Sequence, residues 1–377
     1  MTTNFYIEPV NVYYDLEIIN NDLKGNNAPI PISFTENRSN AYLHKPEDYY
    51  MSVVRFEVQT GNSLPVFIPL VQLGQSDINL LIYSVTLTYK NYEQQEYIYF
   101  IPDDLTQSLP QPPLDFQDLT SSYYFLSHYQ SFINMLNLCF KTCLTNLNNK
   151  VIAGGDNLPS LIPPFMEFDP NNFVAILDCD EAGYDLNINN PIKLYMNSPL
   201  YNLFNTFPST VISNNSQNGK NVLLSIFNNN NNNVLNLTNY NVLQTYQEGT
   251  TIALWNPIMS IVFTTSLLPI ISTNIGQPKI FGVQNPSIST NSNIGNIISD
   301  YVVNVDALNR YKPNILYIPS SEYRLISLTG NSPISAIEIS AYWKDYYGNL
   351  HPLYLNTNCA ASIKILFRRK DYNNISL

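Results

Sequence analysis

The chain has 377 residues, 45% of them hydrophobic, which is enough to bury a full core and excludes bulk disorder. Only 12% are charged and the formal net charge is -11, which excludes a nucleic-acid binder that uses its whole surface. The length suits two domains or one elaborate β domain.

In chain order, the first ten residues read as an arm. Val12, Tyr14, Leu16 and Ile18 then alternate with Tyr13, Asp15 and Glu17, the period of a half-buried strand. Residues 20–48 are polar and contain prolines, and read as a long loop. Val54, Phe56 and Val58 alternate with Arg55, Glu57 and Gln59, and further strands are expected at 66–71, 83–89 and 96–101. Pro110, Pro112 and Pro113 mark a change of pattern. Leu126, Tyr129, Phe132, Ile133, Leu136, Phe140, Leu144 and Leu147 recur at three and four residues, which predicts an amphipathic helix over 123–148. Thr120 or Ser121 would cap it, and Asn148-Asn149 would stop it.

A Pro-rich loop (159–164), a strand at 173–177 and a short helical piece at 199–207 follow. Six asparagines in a row, Asn228 to Asn233, read as a low-complexity loop at a surface tip. Asn is roughly one residue in seven of the whole chain, an excess that an AT-rich genome explains only in part, because Lys is not enriched with it.

From Gln247 the β pattern resumes. The uncharged stretch 250–272 contains Asn256-Pro257 and Pro269, and reads as a buried strand pair, not a membrane span. Strands are expected at 298–305 and 317–326. The last two are clearest: Ile337, Ile339, Ala341 and Trp343 share one face, and Ile363, Ile365 and Phe367 share another. The simplest architecture is mainly β. One antiparallel sandwich is built from both chain ends (1–105 and 247–377), and a mixed α/β insertion domain (106–246) is looped out between them.

The residues offer little chemistry. There is no nucleophile elbow, Gly-rich phosphate loop, His-Glu-X-X-His or paired Cys-X-X-Cys, so neither an enzyme nor a cofactor is expected. Cys139, Cys143, Cys179 and Cys359 read as unpaired thiols in a reducing compartment. The three histidines are scattered, and His351, beside Pro352, reads as a surface residue. Asp178, Asp180, Glu181 and Asp185 are the one metal candidate. An EF-hand would need ligands where Ala182 and Asn189 stand, so a solvated acidic loop is the favoured reading. The N-terminus has neither a basic nor an apolar signal region. Acidic residues crowd positions 101–200, whereas Lys364, Arg368, Arg369 and Lys370 make the C-terminus basic. Two faces of opposite sign are expected, with the basic tail either solvated or set against phosphates. The 28 tyrosines suit sheet packing, with carbohydrate stacking as the second reading.

Three segments carry a resemblance. Leu254-Trp255-Asn256-Pro257 with Ser260-Ile-Val-Phe263 and Leu268-Pro269, the run Asn190 to Phe204, and Trp343, Asp345, Gly348, Asn349 and Pro352 near the end are similar to blocks of the minor capsid (penton) proteins of virophages and polinton-like viruses, of the Sputnik type. The resemblance implies a single vertical jelly roll with an outward insertion domain. Five copies would close an icosahedral vertex against the major capsid protein of neighbouring capsomers. It further implies a virion protein made in the host cytoplasm, with a basic tail toward the packaged DNA and no catalytic residues. A lectin-like module that attaches to host glycans is the alternative function.

Overall fold

The computed structural model describes residues 9–21, 29–59, 64–69, 80–103, 122–213, 219–271, 279–280, 296–302, 314–319, 324–346 and 348–370. Most of the expected arm, the prolines at 110, 112 and 113, and Thr120 and Ser121 lie outside them. The chain is mainly β and divides into two compact units, Met1–Leu64 with Ile258–Leu377, and Pro65–Pro257.

Among the described residues of the first unit, eight strands frame its two large sheets: β1 (Asn11–Ile19), β2 (Ser33–Asn37), β3 (Tyr49–Gln59), β4 (Ile258–Thr265), β5 (Asn296–Val302), β6 (Asn314–Tyr317), β7 (Ala336–Asp345) and β8 (Ala360–Arg369); Ile30–Pro31, Lys279–Ile280, Ile326–Ser327, Asn349–Pro352 and Tyr354–Leu355 are short additions. One sheet has the order β1-β8-β3-β6. In the other, β7 lies between β4 and β2, and β5 follows β4. All these pairings are antiparallel. The last strand is therefore clamped between the first and third, with Leu16 opposite Ile363 and Ile363 opposite Phe56. The sheets meet through aromatic side chains: Phe56 of β3 lies 6.5 Å from Phe34 of β2 and 4.9 Å from Phe263 of β4, ring centre to ring centre.

Period two explains these strands. Along β7, Ile337, Ile339, Ala341 and Trp343 are buried and the residues between them are half-exposed. In β3 the pairing with β8 skips Val54, a bulge that adds one residue. The slip lets Met51 and Val53 stay buried before it while Phe56 and Val58 are buried after it.

One expectation changes here. The segment expected as loop contains β2, whose five residues hold only one large apolar side chain, Phe34, so alternation could not reveal it. The two clearest strands, β7 and β8, belong to different sheets. The turn after β7 pairs it instead with Asn349–Pro352.

The second unit has two sheets and a long helix. One sheet runs Ser209–Val211, Val222–Leu224, Lys193–Met196, Leu80–Tyr89, Tyr92–Tyr99; the other runs Val234–Asn236, Asn241–Tyr246, Val174–Asp180, Phe165–Asp169. Helix α1 (Tyr129–Ala153) buries the stripe seen in the sequence. It starts later than expected, after His128, and runs past Asn148 because Val151 prolongs the apolar stripe. It ends at Gly154, where a Cβ would lie 2.0 Å from the Tyr92 hydroxyl. The Cys139 and Cys143 thiols face the backbone carbonyls of Glu96 and Gln94, at 3.5 and 3.2 Å. Burial pushes the Cys143 thiol up to about 12. Toward the strand Phe165–Asp169, Asn137 of α1 imitates a β partner: its amide donates to the Met166 carbonyl and its carbonyl accepts from the Met166 N–H.

The unit boundaries at 64/65 and 257/258 differ from the expected 105/106 and 246/247. Leu80–Tyr89 and Tyr92–Tyr99 look like sandwich strands by alternation. Leu80–Tyr89, however, pairs with Lys193–Met196, which places the hairpin in the second unit. Alternation reports that a strand has a buried face, not what buries it.

Candidate functional site

Residues 343–346 and 348–352 build a polar turn in the first unit. Gly348, at φ +82°, turns the chain after β7. Asp345 closes the turn: its carboxylate accepts from the Asn349 N–H at 2.8 Å, from the Asn349 amide at 2.9 Å and from His351 Nε2 at 3.0 Å. His351 sits opposite Trp343 across the strands and stacks on its ring at 3.9 Å, the planes 11° apart. Pro352 stands opposite Tyr342. Desolvation pushes the Asp345 carboxyl up, but the His351 and Asn349 donors outweigh it and hold the carboxyl below its ordinary value. His351 is thus a buried residue, not the expected surface one. Its proximity to Pro352 suggested a loop, and its cross-strand place beside a buried Trp could not be read locally. Trp343, Asp345, Gly348, Asn349 and Pro352 all serve this one turn.

The second motif closes the other unit. Trp255 is buried, donates its indole N–H to the Leu203 carbonyl at 2.8 Å, and is ringed by Phe204, Phe132, Phe67 and Tyr129 at 5.1–5.8 Å. Asn256 is buried, and Pro257 is the last residue of the unit. Tyr124, Tyr129 and Tyr184 are likewise fully buried, as sheet and core packing requires.

The four metal-candidate carboxylates are occupied by protein donors. Asp180 caps the turn Glu181–Tyr184 through the Ala182 N–H, Asp185 accepts from the Asn187 N–H, and Asp178 accepts from the Gln244 amide. Glu181 accepts from the amides of Asn228 and Asn241 at 2.5 and 2.9 Å. Among the described residues no group of three or more His, Cys, Asp or Glu is arranged to hold a metal.

These bonds also give the asparagine run a shape. Asn230 and Asn231 adopt φ of 54° and 62°, the left-handed region that Asn tolerates. The Asn228 side chain accepts from the Asn231 N–H, and the Asn233 side chain accepts from the Asn229 N–H while donating to the Phe227 carbonyl. The run is a turn held by its own side chains and pinned to the acidic corner. Its repeat of one residue type hid the different roles of Asn228, Asn231 and Asn233.

The basic residues belong to a strand more than to a tail. Lys364 bridges to Asp15 at 3.1 Å, and Asp15 also meets Arg55 at 3.2 Å, a charge row across β1, β8 and β3. Arg368 and Arg369 end β8, and Lys370 donates to the carbonyls of Glu47 and Leu328. Residues 371–377 lie outside the described part. No helix of the described residues is long and apolar enough to cross a membrane.

Motif residues spent on turns and core, around two β-rich units, define a structural protein. The family model described as Sputnik minor capsid protein V18/19 matches residues 12–369, and the chain belongs to that family. Two proteins of Sputnik virophage are similar to it. "Uncharacterized protein V18" is 32% identical over 39% of this chain and 87% of its own length. "Structural protein V19" is 25% identical over 54% and 93%. A chain in the 3.5 Å cryo-EM structure of the Sputnik virophage superposes with a TM-score of 0.78 at 25% identity, covering 97% of this chain and 99% of that one. The crystal structure of the selenomethionine-labelled mavirus penton protein shares the fold, with a TM-score of 0.59 at 16% identity over 95% and 99%. This is a structural minor capsid protein of the virion and not an enzyme.

Proposed function

We propose that the first unit is a single jelly roll and that five copies of it close the vertex of an icosahedral capsid, set among neighbouring capsomers of the major capsid protein. The observation that carries this reading is strand order. Numbered over the eight framework strands alone, one sheet runs first-eighth-third-sixth and the facing sheet second-seventh-fourth-fifth, the order of two interleaved Greek keys. The second unit enters between the third and fourth strands and so extends one connection of the roll without disturbing any pairing. A five-fold ring needs a heterologous contact, one side of a copy against the other side of the next. The edges β1 and β6 of one sheet offer two different sides.

In β1, β8 and β3 the end that holds Asn11, Arg368 and Tyr50 is opposite the end that holds Gln59. We assign the former end to the particle interior. Arg368, at the end of β8, is the DNA contact proposed for it, since Lys364 and Lys370 have partners within the unit. Four cysteines without a disulfide suit synthesis in the reducing host cytoplasm. Native mass spectrometry of the purified chain, alone and with its major capsid protein, tests the ring. A five-copy species is expected, and a monomer or an even-numbered oligomer in both samples would overturn the proposal.

A further inference from the structure

The outer face of the second sheet of the 65–257 unit is covered at Asp180 and Val242 but exposed along the rows of Phe165 and Tyr246, and there it has an unusual make-up. One face of the sheet is core, with Met166, Leu177 and Leu243 fully buried. On the other, Phe165 stands opposite Asp178 and Asp178 opposite Gln244, while Glu167 stands opposite Ile176 and Ile176 opposite Tyr246. Phe165 is 48% exposed, Tyr246 49% and Leu235, in the adjoining row, 46%. Three large apolar side chains half in water on one sheet face mark a contact surface more than a solvated one. With strands about 4.8 Å apart and alternate residues about 7 Å apart, Phe165 and Tyr246 stand about 12 Å from one another. The polar row lies between them: Tyr246 donates to Gln244, and Gln244 donates to Asp178.

Charge selects the occupant. The four strands of this sheet contain no Lys or Arg, so Glu167 and Asp178 face each other's charge with no cation on their own sheet. The unit as a whole carries 15 acidic and five basic residues, against 14 and 13 in the rest of the chain. Nearly all of the net charge of -11 therefore belongs to this unit. A cationic side chain between the two carboxylates would relieve their repulsion and form charge-assisted hydrogen bonds, and its flank would lie over an aromatic face.

We propose that this face docks a basic, extended peptide segment of a partner protein, its Arg or Lys side chains over Phe165 and Tyr246 and against Glu167 and Asp178. The site does not depend on whether the first unit forms a ring.

Fluorescence anisotropy with the full chain tests it, using a labelled peptide of alternating Arg and Ser, a matched peptide of Gln and Ser, and a set of neutral oligosaccharides. The Arg peptide is expected to bind, more weakly at high salt and more weakly at pH 5 than at pH 7.5 as Asp178 takes up its proton. The double change E167Q with D178N is expected to weaken it at least tenfold, and F165S several-fold. These side chains point outward, so folding should be unaffected, as circular dichroism would verify. If the double variant misfolds, E167Q alone with the salt series decides. Equal binding of the Gln peptide, unchanged binding by the folded variants, no peptide binding at all, or oligosaccharide binding in its place would each overturn the proposal.

Discussion

Asp345 and Asp178 both lie at strand positions, and their surroundings move them in opposite directions. For Asp345 the donors of His351 and Asn349 outweigh burial and favour the charged form. Its folded value lies below the unfolded one of about 3.9, so its contribution to stability is complete above about pH 4 and is lost as pH falls through the folded value. D345N is expected to unfold at lower urea than the wild type at pH 7, with the gap closing toward pH 2. A constant gap would reject this role. Asp178 is the reverse case: burial, opposed by the Gln244 donor and reinforced by Glu167, raises it to about 6. The folded state then holds its proton more tightly than the unfolded chain, so stability is lost as pH rises from about 4 to 6 and the penalty persists above that. D178N is expected to raise the urea midpoint at pH 7.5 and leave it unchanged at pH 3. A residue that weakens its own fold at neutral pH fits a contact surface.

Among the elements, α1 and β8 were legible in different ways. The helix follows from its stripe of apolar residues, yet its ends do not. Its start was assigned to capping residues and its end to two asparagines, whereas packing of Val151 and the close approach of Gly154 to Tyr92 set the real end. What the stripe could not reveal is Asn137, a polar residue that ties the helix to the edge strand Phe165–Asp169. N137A is expected to destabilise the second unit by about 1–3 kcal/mol, because it leaves the Met166 N–H and carbonyl without their partner. Chemical denaturation followed by protection of the strand amides measures it. The Trp255 and Trp343 motifs were visible as motifs, but their physical content, an indole–carbonyl bond and a Trp–His stack, depends on residues far along the chain or across a turn.

At the scale of the molecule, β8 lies inside a sheet between β1 and β3, so residues 360–369 are part of the first unit's core. A chain ending at residue 359 loses the partner of both β1 and β3. The truncated chain is expected to lose amide protection throughout β1, β3 and β6 while the contiguous 65–257 unit keeps its own. Hydrogen exchange with mass spectrometry reads both units in one experiment, and loss of protection in the second unit as well would show that the two do not fold independently. Particle assembly should fail with the same truncation.

The residues alone determined that strands from both chain ends would carry the fold, because period two and period 3.6 are local properties of the side-chain sequence. They likewise carried the family motifs and the absence of catalytic patterns. Which strands pair, where the units divide and what the motif residues touch were decided only in three dimensions. Alternation is the same whether a strand lies beside β3 or beside Lys193–Met196, and the contacts that distinguish those outcomes join residues more than a hundred positions apart in the chain.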